Sequence, residues 1–225
     1  PRTQQTAYPL SWQDELKNII TCPKALFTAL ELPLAALPDA KQGHNLFKVR
    51  VTRDYLKRIK KGDLNDPLLK QILPQASEHL SPLDYSDDPL AESDHNPFKG
   101  VIHKYHSRVL LIAASQCAIN CRYCFRRNFD YQANSPSRAQ WEQSLGYIRQ
   151  TPSINEVILS GGDPLVLSDS ALRWLIEQIE QIPHITRLRI HSRLPIVLPG
   201  RISPSLISLL QHTKLNTVLV VHSNH

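Results

Sequence analysis

The sequence predicts an α/β protein in which a helical N-terminal region (1–105) precedes four strands of a parallel sheet or barrel (106–225). In the first region, apolar residues recur at spacings of three and four, which is typical of amphipathic helices. From Arg108 onward, short apolar runs alternate with amphipathic stretches. Alternation of this kind produces right-handed βαβ units, and therefore a parallel sheet or barrel.

The N-terminal region is expected to consist of helices separated by prolines. A helix is predicted to begin at Ser11, whose hydroxyl can accept a hydrogen bond from the first helical turn. Pro23 divides the apolar positions that follow into two helices. A third helix is predicted over 52–61, and one or two further turns over 68–73. Prolines among acidic residues indicate an irregular connection over 81–100.

The second region is expected to alternate four buried strands with three helices. Continuous apolar runs such as Val109–Ala114 are typical of strands that are buried on both faces of a parallel sheet. The predicted strands cover 109–114, 156–160, 186–191 and 217–222, and the predicted helices cover 137–150, 169–182 and 203–211.

Polar, glycine or metal-binding residues follow every predicted strand. In β/α barrels the chemistry takes place at the carboxyl ends of the strands. These ends carry Ser115–Cys124, Ser160–Pro164, His191–Arg193 and His222–His225. We therefore expect the four loops to surround one site.

Three of the four cysteines, Cys117, Cys121 and Cys124, lie within eight residues at C-x3-C-x2-C spacing. Thiolates this close together can bind an iron–sulfur cluster, and three of them leave one iron of a four-iron cluster without a protein ligand. That iron could chelate the amino and carboxylate groups of S-adenosylmethionine. A structural zinc site would need a fourth ligand, such as His103 or His106.

Other readings of the cysteines and of the charge are weaker. No secretory signal precedes the cysteines, so a disulfide framework is disfavoured and the cytoplasm is the expected location. Cys22 stands alone and is interpreted as a small buried hydrophobic residue. The net charge of +6 includes a basic run from Lys48 to Lys61, interpreted as the solvated face of a helix or helix pair rather than a nucleic-acid site. No apolar run is long enough for a membrane helix.

The cysteine spacing, with aromatic Tyr123 before the last cysteine, resembles the radical S-adenosylmethionine (radical SAM) enzymes. The longer stretch Cys117–Phe129 is similar to the lysine 2,3-aminomutase branch, and within it to the aminomutases that form (R)-β-lysine for modification of elongation factor P. The resemblance implies a partial (β/α)6 radical SAM barrel, a [4Fe–4S] cluster, S-adenosylmethionine, pyridoxal 5′-phosphate, the substrate L-lysine and an external electron donor. A homo-oligomer is compatible with it.

The resemblance also implies roles for individual residues. The three cysteines would bind the cluster. The stretch Ser160-Gly161-Gly162-Asp163 would contact the methionyl amino group, although an ordinary βα turn would look the same. Arg193 could hold the methionyl carboxylate and His191 the adenosine, unless either residue only caps the barrel rim. Arg126 would bind the carboxylate of L-lysine, and Tyr105 and Arg108 would face the phosphate of pyridoxal phosphate.

The sequence departs from the family pattern in two ways. Pyridoxal phosphate normally rests on a lysine, but the only lysine after Cys124 is Lys214, on the wrong side of the predicted barrel. Four strands are also too few to close a six-stranded barrel. We therefore expect an inactive fragment. The alternatives are a radical SAM reaction without pyridoxal phosphate, or a non-catalytic iron–sulfur or zinc module that binds a partner such as RNA.

Overall fold

The computed structural model describes residues 11–80, 83, 85–131, 134 and 137–225, and it confirms the predicted α/β class. Its sheet has five strands in the order β1-β2-β3-β4-β5. Their bounds are Val101–Tyr105 (β1), Arg108–Ala114 (β2), Glu156–Gly161 (β3), Arg187–Ser192 (β4) and Asn216–Val221 (β5). The four predicted strands are β2 to β5, and they pair in parallel.

Strand β1 was not predicted, and it corrects the expectation of an entirely helical first region. It pairs antiparallel with β2 across the turn at His106 and Ser107, with Val101 opposite Leu111. Its inner end is buried and its outer end exposed. Its polar outer half hid its β character, because only Val101 and Ile102 are buried while Lys104 and Tyr105 are exposed. The predicted boundary between residues 105 and 106 falls at this turn and stays a prediction.

The predicted division of the first helices at Pro23 agrees with the structure. Helix α1 (Trp12–Lys17) begins after Ser11, whose side chain accepts from the backbone N–H of Asp14. Helix α2 (Pro23–Leu30) has the proline at its first position, where no intrahelical donor is lost. Cys22 precedes this helix and is exposed, so its interpretation as a buried residue was wrong.

The basic run does not form one helix. A helix that was not predicted, α3 (Leu37–Leu46), ends before it, and Val51 is extended and pairs with Ile20. The predicted helix over 52–61 is only α4 (Arg53–Leu56), followed by turns. Ion pairs bring carboxylates to the basic side chains here, as between Lys57 and Asp54 at 3.3 Å. Helix α5 (Pro67–Lys70) accounts for the predicted turns near residue 70.

The helices of the second region follow the predicted pattern. Serine side chains accept hydrogen bonds at the starts of α6 (Arg138–Arg149), α7 (Asp169–Glu180) and α9 (Pro204–Gln211), and the short α8 (Leu194–Val197) follows β4. Short 3-10 helices cover Leu34–Ala36, Ala76–His79, Ser93–His95, Pro164–Val166 and Pro199–Arg201. Ser81 and Pro82, at the start of the predicted irregular connection, lie outside the described residues.

Buried apolar residues from both regions form one cluster, extending from Ile20 to Leu215. The N-terminal region therefore packs directly against the sheet and supports the loops at its carboxyl end. No helix within the described part of the chain combines the length and apolar character that crossing a bilayer requires.

Candidate active site

A cavity of about 690 Å³ lies at the carboxyl ends of the parallel strands and along one face of the sheet. It is lined by all of the residues that the radical SAM interpretation placed in the site: Tyr105, Arg108, Cys117, Cys121, Tyr123, Cys124, Arg126, Ser160, Gly161, Gly162, Asp163, His191 and Arg193. The structure therefore brings these residues together. Apolar side chains, including Ile102, Leu110 and Ile158, line much of the remaining wall.

The cysteine loop is attached to the N-terminal region. Arg50 donates from Nε to the carbonyl oxygen of Cys117 at 2.5 Å, and the backbone N–H of Asn120 donates to the carbonyl of Arg50 at 2.8 Å. Between the second and third cysteines, the N–H of Arg122 donates to the carbonyl of Gln71 at 2.9 Å. These three hydrogen bonds hold in place the backbone that carries the three cysteines.

The three thiols face the same cavity, although no group of three or more His, Cys, Asp or Glu side chains among the described residues is already positioned to hold a metal ion. Burial raises the pKa of Cys117, and nearby acidic groups raise it further. Burial also raises the pKa of Cys124. A bound cation would reverse this preference, because a coordinating thiol is deprotonated. The donor set therefore suits a metal cluster more than free thiolates.

The glycine pair allows the chain before Cys117 to pack against the end of β3. Gly161 has a φ of +103°, and a Cβ there would lie 2.7 Å from the carbonyl oxygen of Ala114. At Gly162 a Cβ would lie 2.4 Å from the carbonyl oxygen of Gln116. The absent side chains thus make room for the protein backbone itself, and both glycines still line the cavity.

The side chain of Asp163 organises the loops rather than standing free. Its buried carboxylate accepts from the hydroxyl of Ser192 at 2.7 Å and from the backbone N–H groups of Leu165, Arg193 and Leu194 at 2.8–3.1 Å. Burial raises its pKa, while these four donors act in the opposite direction. Because protein donors occupy both oxygens, the carboxylate holds these loops together, and the predicted contact of this stretch with the methionyl amino group stays a prediction.

Arg193 lies between the cysteine loop and the N-terminal region. Its guanidinium donates to the sulfur of Cys121 and to the side-chain oxygen of Gln71, and it lies 5.4 Å from the ring centroid of Tyr123. Tyr123 also donates to Gln71, at 3.3 Å. The Nε of Arg193 is buried and has no hydrogen-bond partner among the described residues. A ligand with an acceptor oxygen would satisfy it.

Arg126 projects from the cysteine loop and contacts two acceptors. It donates from Nε and Nη2 to the carboxylate of Glu92 at 2.7 and 2.6 Å, and from Nη1 to the hydroxyl of Ser160 at 3.0 Å. Its guanidinium lies 4.7 Å from the ring centroid of Phe125. This geometry fixes the direction in which the guanidinium faces the cavity.

The remaining candidate residues line the cavity where it runs along the sheet. Burial, with help from Arg189 and Arg126, lowers the pKa of His191, and its Nε2 is buried without a partner in the described part of the chain. The guanidinium of Arg108 lies 5.5 Å from the ring centroid of Tyr105, and its Nε is 3.9 Å from the carboxylate of Glu156.

Residues outside the cysteine motif hold the site together, and sequence reasoning missed them. They are Arg50, Gln71, Glu78, Glu92 and Tyr131, whose hydroxyl donates to the carbonyl of Gly161 at 2.6 Å. The only available signal was that the arginines beside the cysteines required carboxylates. The candidate zinc ligand His103 instead contacts the hydroxyl of Tyr147 at 2.7 Å, and neither it nor His106 lines the cavity.

The sequence is similar to known proteins over most of its length. Residues 111–220 match the model of the radical SAM superfamily. The L-lysine 2,3-aminomutase of Haemophilus influenzae is 44% identical over 215 residues, which are 96% of this chain and 64% of that protein. The enzyme of the same name from Escherichia coli is 43% identical over 95% of this chain and 63% of its own length. The enzyme of that name from Clostridium subterminale is 36% identical over 95% of this chain and 51% of its own length. The chain thus spans less than two thirds of the length of these relatives.

Proposed function

We propose that this chain, which belongs to the radical SAM superfamily and to its L-lysine 2,3-aminomutase branch, carries the radical-initiating site of an enzyme that converts L-lysine to β-lysine. The observation that supports this most directly is the shared cavity. The three cysteines and Arg126 reach it from the loop after β2, and the Ser160–Asp163 stretch reaches it from the end of β3. Superfamily membership implies a [4Fe–4S] cluster and S-adenosylmethionine as cofactors.

The residues present fit these two cofactors. Cys117, Cys121 and Cys124 would hold three irons, and the fourth would be open to S-adenosylmethionine. The unpartnered Nε of Arg193 would bind the methionyl carboxylate, and the unpartnered Nε2 of His191 would contact the adenosine. When bound, the cluster and the sulfonium nucleotide supply a 5′-deoxyadenosyl radical. The apolar wall would exclude water from it.

Arg126 would orient the substrate. A guanidinium recognises a carboxylate through two parallel hydrogen bonds, and only the Nε–Nη2 edge of Arg126 is paired with Glu92. Nη1 and Nη2 each keep one N–H without a partner among the described residues, and the edge between them would receive the carboxylate of L-lysine.

The described residues do not fit the covalent attachment of pyridoxal phosphate. Lys104 is the only described lysine that lines the cavity, and its ammonium donates to the carbonyl of Leu90 at 2.7 Å. Lys214 precedes β5, at the opposite end of the strands. Tyr105 and Arg108 could still face the phosphate. If the enzyme uses this cofactor, a lysine outside these 225 residues must anchor it.

The partners of the enzyme follow from the same proposal. A reductant must supply the electron that cleaves S-adenosylmethionine, so we expect an external electron donor. The resemblance to aminomutases that form (R)-β-lysine further leads us to propose elongation factor P as the protein modified with the product. Loss of β-lysine from elongation factor P in a strain that lacks the gene would support this assignment, whereas retained modification would oppose it.

The activity can be tested on the full-length gene product. The protein would be reconstituted without oxygen with iron and sulfide, and supplied with pyridoxal phosphate, S-adenosylmethionine, a reductant and L-lysine. We expect β-lysine by mass spectrometry, and none from an Arg126→Gln variant. Cleavage of S-adenosylmethionine without β-lysine would favour a radical reaction of another type, and a protein that binds only zinc would favour the non-catalytic module.

A further inference from the structure

We infer that Glu92 is a positioning residue, which holds Arg126 so that one edge of its guanidinium is presented to a ligand carboxylate. The inference rests on the proposed function, in which Arg126 binds the carboxylate of L-lysine. Glu92 belongs to none of the motifs that identify the site, and it precedes Arg126 by 34 residues. The two side chains are nevertheless largely buried together, at 9% and 10% exposure.

The contacts of Arg126 divide its guanidinium into two edges. The Nε–Nη2 edge is closed by both oxygens of Glu92. Nη1 donates to Ser160 at 3.0 Å, which is the predicted site residue at the end of β3. A guanidinium has five N–H groups, so this pairing leaves one on Nη1 and one on Nη2. A second carboxylate would approach along the edge between Nη1 and Nη2.

The segment that contains Glu92 is built to present this side chain. The carboxylate of Asp88 accepts from the backbone N–H groups of Glu92 and Ser93, both at 2.9 Å, and from the Ser93 hydroxyl at 2.7 Å. These bonds, the Ser93 N–H first among them, lower the pKa of Asp88 to about 2. Ala91 takes a φ of +49°, which non-glycine residues rarely adopt. Hydrogen bonds to the Asp88 carboxylate therefore hold the backbone that carries Glu92.

Charge explains why a carboxylate is needed at this position. Arg126 is largely buried, and a buried cation without a partner is costly. Glu92 neutralises it in the absence of a ligand and prevents it from turning toward other acceptors. Without Glu92, the guanidinium of Arg126 would keep only the hydroxyl of Ser160 and solvent as hydrogen-bond partners. Loss of Glu92 should therefore weaken the binding of the ligand's carboxylate and leave the binding of its amino groups unchanged.

This division predicts a specific change in ligand preference. The full-length reconstituted protein would be titrated with L-lysine and with 1,5-diaminopentane, which is lysine without its carboxylate. The affinity ratio measures recognition of the carboxylate alone. Arg126→Gln should abolish most of the preference for lysine. Glu92→Gln should reduce it about tenfold, since misplacing a positioned group by about 1 Å can cost a hundredfold. As the control, Asp94→Asn removes the same charge from an exposed neighbouring position and should leave the preference for lysine unchanged.

The outcomes separate this inference from the proposed function. Unchanged preference in Arg126→Gln would remove the proposed role of Arg126 itself. If Arg126→Gln loses the preference for lysine while Glu92→Gln keeps or increases it, only the positioning role of Glu92 is overturned. An equal loss of affinity for lysine and 1,5-diaminopentane in Glu92→Gln would overturn that role as well. If Glu92→Gln does not fold, Glu92→Asp decides. Its shorter side chain should reach only one nitrogen and give an intermediate preference, and an unchanged preference would overturn the inference.

Discussion

Arg122, between the second and third cysteines, forms a two-nitrogen ion pair with Glu78 of the N-terminal region. The same carboxylate accepts from Arg127 at 2.7 Å, and all three side chains are largely buried. One carboxylate from the 3-10 helix Ala76–His79 therefore fixes two arginines of the cysteine loop. The conformation of this loop depends on a residue that lies outside the barrel.

The stability of the protein should depend on Glu78 at neutral pH. Burial raises the pKa of Glu78, but hydrogen bonds from Arg122, the Gln75 N–H and Arg127 outweigh it and leave the pKa below its ordinary value. Glu78→Gln should therefore lower the free energy of unfolding by about 3 kcal/mol at pH 7, because it leaves two buried cations uncompensated.

The stabilisation by Glu78 should be present at neutral pH and lost in acid. A carboxyl group whose pKa is depressed by folding stabilises the protein above its unfolded pKa, and the stabilisation disappears as pH falls through the folded pKa. Urea unfolding of the two proteins should therefore show a difference that is full at pH 7 and shrinks below about pH 4.3, the ordinary pKa of Glu. A difference that is constant down to pH 3 would contradict this account.

Gly162 should tolerate no side chain. A methyl group there would lie 2.4 Å from the carbonyl oxygen of Gln116, so Gly162→Ala should displace the chain before Cys117 and cost about 1–3 kcal/mol. The matched control is Gly146→Ala, because nothing lies within 4 Å of the added atom and the residue is inside helix α6. This control should be stabilised by about 0.5–1 kcal/mol. Equal effects of the two substitutions on thermal unfolding would refute the packing argument.

Asp163→Asn should destabilise the loops around the cavity. The amide places an NH2 group where a carboxylate oxygen now accepts, so at least one of the four donors loses its partner. Each buried donor left unsatisfied costs about 1–3 kcal/mol. Hydrogen exchange should show faster opening of the Arg193 and Leu194 amides. Exchange as slow as in the unmodified protein would show that the carboxylate charge is not needed there.

The cysteines should differ sharply in their importance. Cys121→Ala should abolish cleavage of S-adenosylmethionine by the reconstituted full-length protein, because only two cluster ligands remain in the motif. Cys22→Ala should leave the cleavage rate unchanged, since Cys22 is exposed and does not line the cavity. Cleavage that persists in Cys121→Ala would remove the cluster from the mechanism.

The sequence predicted the strands and the loops at their carboxyl ends because both depend on local patterns, whereas Tyr105, Arg108 and Arg126 were named only through the family resemblance. Short apolar runs give parallel strands, and parallel strands bring their following loops to one end. It did not predict β1, whose buried half is two residues long, nor the extended backbone at Val51, which pairs with Ile20. It also missed Glu78 and Glu92, because contacts over 44 and 34 residues are set by packing.

The most direct test of the account is the metal content of the full-length protein after anaerobic reconstitution. We predict about four irons with matching sulfide per chain, and a change in the electron paramagnetic resonance spectrum of the reduced cluster when S-adenosylmethionine is added. A single zinc without sulfide, or a cluster whose spectrum does not respond to S-adenosylmethionine, would contradict the account.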